Sequence, residues 1–185
     1  MLHRYVLTGA PGAGKTVLLD ALAARGWPVI REAATDVIAA MQADGVDQPW
    51  TTDGFCDRIT ALQRQRQQAP VPADVTVQVH DRSPLCTLAL ARHLDRPVTP
   101  ALRAEVDRVL TERVYEPTVF LVQPLGFVEP TPARRISYPD ALAFHAVHEE
   151  VYREHGFHLL DVPAGPPAAR ADLVEAAIQH PHAQS

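Results

Sequence analysis

Lysine occurs once in 185 residues, against sixteen arginines. That scarcity excludes the Asn-Lys-x-Asp segment by which guanine-specific switches read their base, because the single lysine, Lys15, sits in a different motif. Cysteine occurs twice, and Cys56 and Cys86 show neither a metal-like spacing nor a disulfide framework, so a reducing, cytoplasmic setting is expected. No run of about 18 apolar residues exists to span a bilayer, and no membrane partner is expected. The apolar N-terminal stretch leads at once into a glycine-rich motif and reads as part of the fold, not as a cleaved leader. Positive charge is not in excess either: the net charge is −5, which gives no electrostatic footprint for nucleic acid. Internal repeats and low-complexity tracts are missing. What remains is 46% hydrophobic and 21% charged, enough for one well-buried core and short for two. One domain is expected over residues 1–179, with a flexible tail at 180–185.

The stretch that organises the chain is Gly9-Ala10-Pro11-Gly12-Ala13-Gly14-Lys15-Thr16, which satisfies G-x-x-x-x-G-K-[ST] at every fixed position. Glycines let backbone N–H groups turn inward around phosphate oxygens, and the positive end of the following helix faces the same anion. Lys15 is placed to reach the β- and γ-phosphates, and Thr16 to offer a hydroxyl to Mg²⁺. The context is the required one: Leu2 to Thr8 reads as a strand and Thr16 to Arg25 as an amphipathic helix. Arginine, a wide planar fork, cannot replace a compact ammonium in a tight phosphate cradle, a physical reason for the one lysine retained.

Further along, Trp27 to Glu32 reads as a second strand and Ala33 to Ala43 as a helix with Val37, Ile38 and Met41 on one face. Glu32 therefore falls where strand becomes helix, at the edge where α/β proteins gather their ligands. Residues 44–73 interrupt the alternation with a loop carrying Trp50, expected to be exposed, and a helix near Phe55 to Gln68. This insertion is read as substrate-covering, although Phe55, Ile59 and Leu62 at helical spacing fit a core equally well. Val75 to His80 is a third strand running into Asp81-Arg82-Ser83, with Pro84 opening a helix to about Leu94. Asp81 is a candidate Mg²⁺ ligand opposite Thr16; the plainer reading has it helping Ser83 to cap the helix.

Thr99 to Val114 reads as a capped amphipathic helix whose arginines form a solvated face. Pro117 to Gln123 is a fourth strand. A proline-rich lid segment at about 124–138, with Arg134 and Arg135, precedes a helix near Pro139 to His155. Phe157 to Val162 is a fifth strand and Ala168 to Gln179 a last helix. Strands alternating with helices predict an α/β fold with a five-stranded parallel sheet of order 2-3-1-4-5 between helix layers. His145 and His148 lack the H-E-x-x-H arrangement and are read as structural or surface histidines, not metal ligands.

Three chemistries use such a loop. The guanine switch is disfavoured by the missing base motif and by Pro84, which stands where a glycine is expected three residues beyond the metal-site Asp. The motor ATPase is disfavoured by Arg82, which stands where a water-polarising glutamate is expected. A kinase of small acceptors keeps a candidate for each part: the loop with Lys15, Mg²⁺ at Thr16 and Asp81, Glu32 to accept the hydroxyl proton, Arg82 on acceptor or phosphate, and Arg134 with Arg135 as a closing lid. The expected partners are ATP, Mg²⁺ and a small-molecule acceptor, nucleoside-like by weak preference. A homodimer is left open. Arg31, Trp50, Phe55, Arg64 and Arg92 are candidates for acceptor contact that no motif ranks.

On these segments, GAPGAGKT, Arg31-Glu32-Ala33-Ala34, Asp81-Arg82-Ser83 and VEPTPARR followed by FHAVHEEVYREHGF, the chain resembles the family of small AAA-labelled predicted ATPases or kinases over nearly its whole length. That family is similar in fold to nucleoside and nucleotide kinases and related to the nicotinamide riboside kinase domain. The glutamate after the second strand and the Asp-Arg-Ser segment resemble those of deoxynucleoside kinases. The resemblance implies a base role for Glu32 and metal and substrate roles for Asp81 and Arg82. It also implies an alternative, since the family includes members that bind GTP and phospholipid: a nucleotide-binding regulator that controls a partner.

Overall fold

The computed structural model describes residues 2–126 and 136–180, so Arg134 and Arg135 lie outside the described residues. Among these, alternating side chains decide the layers. In strand β1 (His3–Thr8), Tyr5 and Leu7 face one side of the sheet and Val6 the other, as period-two geometry requires. Tyr5 and Leu7 pack with Phe120 and Val122 of β4 (Thr118–Val122) against helix α1 (Lys15–Ala24) and helix α7 (Pro167–Gln179). Val6 and Val119 pack against α4 (Pro84–His93), α5 (Pro100–Thr111) and α6 (Tyr138–Glu154).

The strands are all parallel in the order β2-β3-β1-β4-β5, with β2 at Val29–Ile30, β3 at Val77–Asp81 and β5 at His158–Val162. Register brings Leu7 opposite both Asp81 and Phe120, so the carboxyl ends of the three central strands lie level. Beyond the sheet, α2 (Ala33–Ala43) and α3 (Phe55–Gln67) form a separate apolar cluster from Val37, Ile38, Met41, Phe55 and Ile59. No helix among the described residues is long and apolar enough to cross a membrane.

Three local readings are corrected. The second strand shrinks to two residues because Trp27 N–H closes the end of α1 on Leu22 O and Pro28 has no N–H to donate. Trp50 is half-buried in a single turn of 3-10 helix at Pro49–Thr51, packed on the α2–α3 cluster. Arg108 of α5 is not on a solvated face: it donates to both oxygens of Glu105, at 2.7 and 2.9 Å, and to Gln67 Oε1 at 2.7 Å. Glu105 is buried, and a carboxylate removed from water requires such a partner. Arg103 is exposed as expected.

Candidate active site

The loop between β1 and α1 takes the form its glycines allow. Gly9, Gly12 and Gly14 all have positive φ, at 119, 83 and 83°. At Gly9 a Cβ would stand 2.6 Å from Val122 O, so only glycine fits there. Lys15 is buried, and its Nζ donates to Gly9 O at 2.9 Å and Ala10 O at 2.7 Å, which folds the ammonium back along the loop. Burial, with Arg82 next, lowers its pKa to about 7, against the opposing pull of Asp81 and Glu32. Pro11, Gly12, Gly14, Lys15 and Thr16 border one cleft, whereas Ala13 turns into the core.

Asp81 ends β3 at that cleft. It does not cap α4, since Ser83 Oγ alone accepts the Leu85 N–H. Its Oδ1 is buried without a hydrogen-bond partner, and burial, then the nearby Glu32, raise its pKa to about 6. Arg82 follows with φ 76°, a backbone state that a side chain adopts only under constraint. The constraint is visible: its N–H donates to Leu7 O at 3.0 Å, its Nε to Glu32 Oε1, and its Nη1 to His148 Nε2 at 2.9 Å. Glu32 precedes the first turn of α2, and its other oxygen accepts from Thr35 Oγ1 at 2.8 Å. Burial alone would raise the Glu32 pKa, but Arg82 and Lys15 outweigh it and hold the carboxyl below its ordinary value.

Helix α6 supplies groups to which the sequence reading gave no part in the site. His148 is fully buried, and its Nδ1–H donates to Phe144 O at 2.8 Å, which leaves Nε2 to accept from Arg82. Burial and Arg82 push its pKa well down, so the ring stays neutral. His145 Nδ1 accepts the Ala10 N–H at 3.3 Å, and Tyr152 shares a hydrogen bond with Ser83 Oγ at 2.7 Å. These residues recur at one helical face, spaced three to four apart, and that periodicity was the only available signal. Gln63 was missed as well: it donates to Ser83 O and accepts from Thr87, which ties α3 to the Asp81-Arg82-Ser83 turn.

The cleft encloses about 740 Å³. The phosphate loop, Glu32, Asp81 and Arg82 border one end, and Ile38, Trp50, Phe55, Ile59, Leu90 and Phe144 wall the other. Of the five unranked acceptor candidates, only Trp50 and Phe55 border it; Arg31 pairs with Asp20, Arg64 with Glu105 and Arg92 with Glu154.

Comparison with solved structures identifies the same architecture in other proteins. NadR protein in complex with NR superposes with a TM-score of 0.68 at 16% identity, covering 100% of this chain and 51% of that one. NadR protein with NAD and AMP-PNP gives 0.65 at 15%, with the same coverage. Shikimate kinase from Acinetobacter baumannii, in complex with shikimate, gives 0.51 at 20%, covering 100% of this chain and 97% of that one. The chain thus spans about half the length of the NadR chains. No curated protein matches it. The AAA domain family model matches residues 4–170, from the first strand through the last helix's first turn, and by that match the chain belongs to the AAA domain family, with a kinase-like P-loop fold.

Proposed function

We propose that this protein transfers the γ-phosphoryl group of Mg-ATP to a hydroxyl of a small molecule. The observation that carries the reading is that one cleft of about 740 Å³ joins a phosphate loop, two acids and an arginine to an apolar chamber. A nucleotide-only switch needs no such chamber. The residues fit the nucleotide: the loop is shaped by three glycines at positive φ, of which Gly9 leaves no room for a Cβ, and Lys15 is buried within it. They fit a cation too, because the buried Oδ1 of Asp81 has no hydrogen-bond partner and would be free to ligate Mg²⁺, with Thr16 at the same cleft. When bound, Mg²⁺ neutralises phosphate charge that these side chains alone would leave unbalanced.

In the proposed step the acceptor O–H gives its proton to Glu32, a new O–P bond forms, and the bond from Pγ to the ADP oxygen breaks. Arg82 keeps Glu32 ionised and in place for that transfer. A base of low pKa suits a loose transition state, in which the hydroxyl loses its proton late. Arg134 or Arg135 is proposed to close over the γ-phosphate; residues 44–73 and 124–138 are proposed as the elements covering acceptor and nucleotide, with Leu125 and Ile136 bordering the cleft. ATP and GTP compared by thermal shift, together with a metabolite extract incubated with γ-labelled ATP, test the reading. ATP stabilisation with a labelled product is expected. Stabilisation by GTP alone, with no labelled metabolite, would establish the regulator instead.

A further inference from the structure

Arg170 lies outside the cleft, in the first turn of α7, and is 4% exposed. This is a costly place for a cation, since the helix N-terminus is the positive end of the dipole and the interior is poor in water. Among the described residues no carboxylate pairs with it. Its guanidinium is instead spread over three backbone carbonyls: Nη1 donates to Ala13 O at 2.6 Å, Nη2 to Gln123 O at 2.6 Å and Nε to Pro163 O at 2.7 Å. These acceptors belong to three different segments, namely the phosphate loop and the connections that leave β4 and β5. Bonding all three at once needs a planar fork with several N–H groups, which arginine has and lysine lacks.

The Ala13 contact has a consequence for the next residue. In a trans peptide the carbonyl and the following N–H point in opposite directions. With Ala13 O drawn back onto Arg170, the Gly14 N–H is turned away from α7, and Gly14 borders the cleft. Gly14 has φ 83°, and Arg170 Nη1 stands 3.1 Å from where its Cβ would be, so the guanidinium packs directly beneath this peptide.

We infer that Arg170 is a positioning residue for the nucleotide's phosphates: it orients one peptide of the cradle so that the Gly14 N–H faces the anion, and it sets a buried positive charge one peptide behind it. The inference rests on the loop holding nucleotide phosphates, as proposed above.

The test is calorimetry on the full chain, well below its melting temperature, with Mg-ATP and with inorganic tripolyphosphate, on wild type, Arg170→Gln and Arg170→Lys. Loss of one charge-assisted orienting contact should weaken both probes about ten- to a hundredfold in Arg170→Gln. Arg170→Lys should leave both affinities weakened as well, because it keeps the charge and loses the fork. Variants that lose melting temperature but bind both probes like wild type would reduce Arg170 to a structural brace and overturn the inference. In case neither variant folds, the wild-type Gly14 amide provides an independent reading by NMR: it should shift strongly on addition of tripolyphosphate, and a Gly14 amide indifferent to the anion overturns the inference. A wild type that binds neither probe sinks the nucleotide reading itself, and this inference with it.

Discussion

At its phosphate end the cleft is held by hydrogen bonds and charge, whereas the chamber beside it is held mainly by apolar packing. Lys15 bonds two loop carbonyls, Arg82 bridges Glu32 and His148 across three elements, and Arg170 ties three loops from behind. In the chamber, Ile38, Phe55 and Ile59 of α2 and α3 simply pack together, with Trp50 against them. The two ends therefore tolerate change differently. A displaced hydrogen bond at the first removes a defined geometry, while a trimmed side chain at the second alters volume.

Substitutions sharpen that contrast. Glu32→Gln should lower phosphoryl transfer by about 10²- to 10⁴-fold with ATP affinity near wild type; equal turnover in single-turnover assays would remove Glu32 from the mechanism. Lys15→Arg keeps the charge but not the compact head, and ATP affinity by calorimetry should fall roughly a hundredfold. Phe55→Ala should cost about 3 kcal/mol of stability and, below its melting temperature, raise the acceptor KM about tenfold while sparing that of ATP. Should it raise both alike, the two ends are not separate.

Subtler effects follow from titration. Asp81 has a folded pKa of about 6 against an ordinary 3.8, so between those values the folded chain holds more protons than the unfolded one. Without metal, stability should therefore fall as pH rises from about 4 to 6, and Asp81→Asn should raise the melting temperature by a few degrees while abolishing the Mg²⁺ response. A melting temperature lowered by Asp81→Asn would contradict this. The smallest signal is a proton. With a pKa of about 7, Lys15 is largely neutral at pH 8, and the phosphates of a bound nucleotide draw a proton back onto it. Calorimetry at pH 8 in buffers of different ionisation enthalpy should show uptake approaching one proton, and little at pH 6.

Much of this framework was legible beforehand. The loop could be read because phosphate chemistry dictates glycines and a lysine at set spacings. The sheet order could be read because hydrophobic strands alternating with helices leave few parallel arrangements. Glu32, Asp81 and Arg82 could be placed at one edge because each follows a strand, and the strands are level there. The partners of these residues were not legible. His148, Gln63 and Arg170 lie 66, 20 and 157 residues from the groups they hold, and nothing in the local sequence distinguishes them from residues on any amphipathic helix.

The sequence by itself determined which chemistry is available, since a motif specifies residue types at short range and those types carry their own donors, charges and backbone freedom. Only the tertiary structure decided how that chemistry is held. Seating Arg82 and its neighbours, bracing the loop after β1 and enclosing a chamber all draw on side chains from α3, α6 and α7, which meet because the sheet stacks them and not because the chain orders them.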